Sequence, residues 1–104
     1  MTARSAAVSP TSIIALALLA AAPAAANEPH FRAQPLAAAS EARLVVRDTV
    51  FRCGAAGCIA PRGSSRAEHV CAGLVREVGA LAGFSAGGRA FDEAALADCN
   101  RRAR

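Results

Sequence analysis

Phe51-Arg52-Cys53-Gly54-Ala55-Ala56-Gly57-Cys58-Ile59-Ala60 is the stretch on which the fold turns. Apolar segments flank a four-residue gap that contains two glycines, and a cysteine stands at each side of the gap. Glycine lets the backbone reverse tightly, so the segment reads as a β-hairpin with its loop over 54–57. Cys53 and Cys58 then face each other across two strands, within reach of a bridge. Upstream, Leu44-Val45-Val46 and Thr49-Val50-Phe51 are β-branched and aromatic, hence strand-like. Arg47-Asp48 interrupts their alternation and predicts a bulge or bend. Downstream, Pro61 keeps the second strand from continuing as a central one, and Arg62-Gly63-Ser64 is a turn.

The clearest helix follows, over about 66–82. Ser65-Arg66-Ala67-Glu68 has the pattern of a capping box, in which the hydroxyl and the carboxylate satisfy two otherwise unpaired amide donors. At roughly 100° per residue, Ala67, Val70, Cys71, Leu74, Val75, Val78, Leu81 and Ala82 share one apolar arc. Glu68, His69, Gly73, Arg76, Glu77 and Gly79 fall outside it. Gly83 is expected to end this helix, Phe84-Ser85-Ala86 to form a short strand, and Gly87-Gly88 a turn. A second helix starts with Asp92 as N-cap, and Phe91 and Leu96 occupy the positions of a hydrophobic staple. Ala95, Leu96, Cys99 and Ala103 share one side of it. Both Cys71 and Cys99 therefore point toward a core.

The other end of the chain reads differently. Arg4 is the only charge before the apolar run Ile13–Ala22, which is too short for the roughly 20 residues a membrane-spanning helix requires. Pro23 breaks that run and Ala24-Ala25-Ala26 offers small residues to a signal peptidase. Residues 1–26 are thus expected to be a cleavable signal peptide, cut between Ala26 and Asn27. They inflate the hydrophobic fraction of 54% for the whole chain. Residues 27–43, with Pro29, Pro35 and Ala37-Ala38-Ala39, carry no convincing period and are expected to be an extended arm or linker with a short strand around Phe31. Residues 44–104 make the domain.

All four cysteines lie beyond the expected cut. An even number in an exported chain implies a disulfide framework, which a domain too small for a large core needs. Four cysteines allow three pairings, and loop-closure entropy separates them poorly. Geometry favours Cys53–Cys58 across the hairpin with Cys71–Cys99 between the helices. A redox role for Cys53/Cys58 is the competing reading, although redox pairs favour a two-residue gap at a helix N-terminus. A four-cysteine zinc site favours two close pairs, and Cys71 and Cys99 are far apart. The Cys-x-x-Cys-His motif of c-type haem is absent, and no cofactor or metal is expected.

Ser65 and His69 stand four residues apart, but capping accounts for Ser65 and Glu68, and His69 falls on the solvent side of the wheel. No catalytic residue is assigned and an enzyme is not expected. His30 reads as a solvated residue of the arm. Every one of the twelve basic residues is arginine in a chain of net charge +4. In an Ala/Gly-rich sequence this is a coding bias before it is a nucleic-acid surface, and no nucleic acid is expected as partner. Arg101, Arg102 and Arg104 meet the negative end of the second helix dipole, with contact to anionic surfaces as a further use.

Phe51-Arg52-Cys53, the gap to Cys58, Ser64-Ser65-Arg66, Val70-Cys71, Arg76–Leu81, Phe84-Ser85 and Leu96–Asn100 together resemble a family of small exported alphaproteobacterial proteins of unknown function. The resemblance covers about 44–104 and implies a periplasmic setting, with no activity, cofactor or site residue attached. The expected fold is a small α+β domain in which a hairpin-containing sheet of two or three strands is packed by two helices and stapled by two disulfides. The expected function is non-enzymatic binding of a protein partner or envelope component, outside the cytoplasm. The alternatives are thiol–disulfide chemistry at Cys53/Cys58 and anionic-surface binding through the C-terminal arginines.

Overall fold

Backbone pairing defines six strands where two or three were expected. In the computed structural model, which describes residues 28–104, the order is β1 (Phe31–Pro35), β2 (Arg43–Val46), β3 (Thr49–Gly54), β4 (Gly57–Ala60), α1 (Ala67–Val78), β5 (Leu81–Ala86), β6 (Arg89–Ala90) and α2 (Glu93–Asn100). The strands form one antiparallel sheet in the order β2-β3-β4-β1-β5-β6. The sheet is therefore twice the expected size or more, and the α+β class stands.

Three two-residue turns build most of it. Arg47-Asp48 joins β2 to β3, Ala55-Ala56 joins β3 to β4, and Gly87-Gly88 joins β5 to β6. Gly87 and Gly88 both have positive φ, 61° and 80°, as the turn matching the strand twist requires. The expected bend at Arg47-Asp48 is such a turn.

β1 realises the short strand expected around Phe31 and makes it a central strand of the sheet rather than part of an extended arm over 27–43. Phe31 and Ala33 are buried, Arg32 and Gln34 exposed, and the strand pairs with β4 on one side and β5 on the other. Neither of the two nearby prolines interrupts the ladder's middle. Pro29 precedes the strand, and Pro35 ends it where the register with β5 shifts. His30 is no solvated arm residue either: it is half-buried, edge-on to Phe31 at 4.6 Å between ring centroids.

The first helix is shorter than expected. Gly79, at φ 90°, ends α1 by donating its N–H to the Val75 carbonyl at 2.9 Å. Leu81 and Ala82 continue the helical stripe in sequence but belong to β5, with Leu81 buried there. The expected capping box does not form. Arg66 is the N-cap and no side chain caps α1. The cap of α2 does form, with the Ala95 N–H donating to Asp92 Oδ1 at 2.8 Å.

Both helices cover one face of the sheet. Phe31, Phe51 and Phe84 from three strands meet Val70, Cys71, Leu74 and Val75 from α1, with Cys99 from α2. Phe91 and Leu96 pack partly buried against the same core. Asn100 fastens the end of α2 to the sheet: its side chain accepts from Leu81 N–H at 2.8 Å and donates to the Leu81 carbonyl at 3.0 Å.

Candidate anion-binding groove

The stripe His69, Ala72, Gly73, Arg76 and Glu77 follows i, i+3, i+4, i+7, i+8 spacing, so these residues share one face of α1. That face borders the end of the β2–β3 hairpin. Val46 sits so close to the helix that a Cβ built on Gly73 would stand 2.7 Å from a Val46 methyl. Glycine there lets helix and hairpin approach, and small Ala72 beside it leaves a depression above. The result is a solvent-open groove of about 530 Å³, lined by those five residues with Val45, Val46, Arg47, Arg102 and Arg104.

Four arginines and one histidine thus line the groove with one acidic side chain, Glu77. None of the four arginines is ion-paired among the described residues, whose ion pairs are Arg66–Glu68 at 3.8 Å and Arg101–Asp98. Three of the four are held by two identifiable devices. Arg47 takes φ 56° at the tip of the hairpin, the only described residue other than glycine with positive φ. Such a conformation is unfavourable for a long side chain and recurs where structure serves a site. At the C-terminus, Arg102 N–H donates to Cys99 O and Ala103 N–H to Asn100 O, while Ala103 packs against the core. This turn sets Arg102 and Arg104 toward α1.

The hairpin tip is itself locked. Asp48 accepts from the Ser64 hydroxyl and from Ser64 N–H at 2.8 Å, and from the hydroxyls of Thr49 and Ser65 at 3.2 and 3.3 Å. These bonds, those from Ser64 foremost, hold its carboxyl well below the usual carboxylate range. Gly63 permits the approach, since a Cβ there would meet Thr49 Oγ1 at 2.7 Å and Asp48 Oδ1 at 2.9 Å. Ser65 therefore belongs to the lock rather than to a cap on α1.

The residues singled out in sequence are distributed as follows. Arg102 and Arg104 line the groove with His69, whereas Arg101 turns to Asp98. Arg66 pairs with the exposed Glu68. Arg47 and Arg76 were not anticipated as site residues. Arg76 could have been found from its i+7 relation to His69; Arg47 could not, because its place depends on the turn. Of the three possible cysteine pairings the structure holds Cys53–Cys58, directly opposite in the β3–β4 register with Cα atoms 4.0 Å apart, and Cys71–Cys99, with Cα atoms 5.9 Å apart. All four sulfurs are so engaged that a four-thiolate metal site has no thiol to draw on. The expected cut at Ala26/Asn27 lies outside the described residues. Among the described residues no helix is long and apolar enough to cross a membrane.

Comparison with known families matches residues 14–101 to a family of unknown function, DUF8200. The chain belongs to that family. The match extends the resemblance seen from residue 44 onward toward the N-terminus, and it carries no activity to this member. No curated protein and no solved structure matches the chain.

Proposed function

We propose that this DUF8200 protein is a non-enzymatic, exported binding module whose groove receives an anionic group of an envelope component or partner. The single observation that carries the reading is the convergence of Arg47, Arg76, Arg102 and Arg104, unpaired, on one groove with a lone carboxylate. Guanidinium forks match phosphate and carboxylate oxygens in pairs, and four of them favour a ligand of more than one negative charge. The two disulfides support an oxidising compartment such as the periplasm.

Titration with inorganic pyrophosphate, followed through backbone amide chemical shifts, tests the groove. Shifts centred on Arg47, His69 and Gly73 are expected, with affinity falling about tenfold or more in R76Q/R102Q. Shifts scattered elsewhere, or affinity unchanged in that variant, would remove the groove reading. Turnover of a substrate that one polar substitution in the groove abolishes would replace it with an enzymatic one. Non-reducing peptide mapping of protein recovered from the envelope checks the export reading, which expects an N-terminus at Asn27.

The redox alternative has less support. Cys58 is 1% exposed, and the pair bridges two strands of a hairpin rather than standing in the first turn of a helix, where a thiolate would be stabilised. A potential below about −300 mV is expected of a structural bridge.

A further inference from the structure

Among the described residues, the opposite face of the sheet carries no helix. Register places Arg43 opposite Arg52, Arg52 opposite Ile59, Ile59 opposite Arg32, and Arg32 opposite Ser85. Residues paired in this way project on one side, so three arginines form a single rank across β2, β3 and β1. Arg43 and Arg52 stand on adjacent strands, and Arg52 and Arg32 are two strand spacings apart, roughly 10 Å. All three are exposed and none is ion-paired among the described residues. Between and beside them lie Ile59, 42% exposed, Val45, 66% exposed, and half-buried Val50, which is paired with Val45.

Like charges directly opposite on neighbouring strands weaken a sheet. Arg43 and Arg52 accept that cost, and no ion pair among the described residues offsets it. Two shallow depressions flank the rank: one of about 270 Å³ bounded by Val50, Arg52, Ile59 and Pro61, the other of about 410 Å³ between Arg32 and Arg52. Glu28 is the one acidic residue bordering either.

We propose that this face docks on an anionic bilayer surface, with the guanidiniums at lipid phosphates and the aliphatic tips at the acyl boundary. Charge complementarity calls for an anionic partner, and the distribution of apolar groups distinguishes which kind. Protein interfaces concentrate their energy in aromatic and arginine anchors set in desolvated sockets. Here every phenylalanine of the sheet lies on the other side, and the depressions are open. Single aliphatic side chains interleaved with arginine on a broad surface suit a lipid interface, which offers dense anionic charge over a continuous apolar layer. This inference is independent of the groove, which borders α1 and shares only Val45 with the face.

The test is partitioning to vesicles of neutral lipid with or without 30 mole per cent anionic lipid, using the protein as its host accumulates it. Binding that needs the anionic lipid and weakens with salt is expected, with the partition coefficient falling about 100-fold in R32Q/R43Q/R52Q. The groove variant R76Q/R102Q is expected to partition as the wild type does. Should the triple variant be unfolded by circular dichroism, I59E, which changes one exposed position, is expected to cut partitioning on its own. Partitioning that is unaffected by these substitutions, or insensitive to salt, would overturn the proposal. So would binding to polyglutamate in place of vesicles, which would identify an acidic protein as partner. Failure of the wild type to bind pyrophosphate, with partitioning intact, would count against the groove alone.

Discussion

The two faces of the sheet solve opposite problems with the same six strands. The inner face carries Phe31, Ala33, Phe51, Cys58 and Phe84 beneath two helices, and the ring centroids of Phe31 stand 6.1 and 5.9 Å from those of Phe51 and Phe84. The outer face carries Arg32, Arg43, Arg52 and Ile59 at the intervening positions. Because side chains alternate strictly, each strand had to encode both faces at once. The inner one is optimised for folding. The outer one keeps a repulsive pair that folding alone would not select.

Substitutions can widen or close that contrast. Phe31→Ala on the inner face is expected to cost roughly 3–5 kcal/mol, a large share of the stability of so small a domain. Val45→Ala on the outer face is expected to stay within about 0.5 kcal/mol. Urea titration of both variants measures the difference. Next come the bridges. Removing Cys71–Cys99, which ties the helical layer together across 28 residues of sequence, is expected to cost about 3–4 kcal/mol. Removing Cys53–Cys58, which closes a separation of only 5, costs about 2 kcal/mol. Thermal unfolding of the paired alanine variants should rank them in that order.

Smaller still is the outer face's own repulsion. Arg43→Thr is expected to stabilise the fold by up to about 1 kcal/mol at low salt, with the gain shrinking as salt screens the pair. A destabilised variant would mean that Arg43 makes a contact the contrast does not include. The least effect concerns Asp48. Its carboxyl titrates below the ordinary aspartate value in the folded chain, so its contribution is complete above the ordinary value and is lost progressively as pH falls below it toward the lower folded-state one. The melting temperature of the wild type should therefore drop more steeply than that of Asp48→Asn between about pH 5 and pH 2.

Legibility in the sequence followed the number of cues that agreed. The β3–β4 hairpin had glycines, cysteines and β-branched flanks, and α2 had a cap and a staple; both stand where those cues put them. β1 offered four alternating residues between two prolines, enough to suggest a short strand around Phe31 but not its central place, which pairing with two strands remote in the chain fixes. The end of α1 was obscured when Leu81 and Ala82 continued a helical stripe by coincidence while Gly79 broke it. Ser65 and Glu68 matched a capping box, yet Asp48 offered the serine a better partner from another element. The groove was half visible: Arg102, Arg104 and His69 were conspicuous, but their convergence with Arg47 and Arg76 is a property of the fold.

The position of β1 has a consequence for assembly. It is the first described strand to leave the ribosome, yet both its neighbours come later, β4 at 57–60 and β5 at 81–86. Without it the sheet falls into two hydrogen-bonded pieces, β2-β3-β4 and β5-β6, with no ladder between them. A chain threading out N-terminus first must therefore keep its keystone unpaired until the rest has emerged. The same arrangement makes the protein a natural split system, in which a chain starting near residue 43 would wait open for a strand with the sequence of 28–36 supplied in trans.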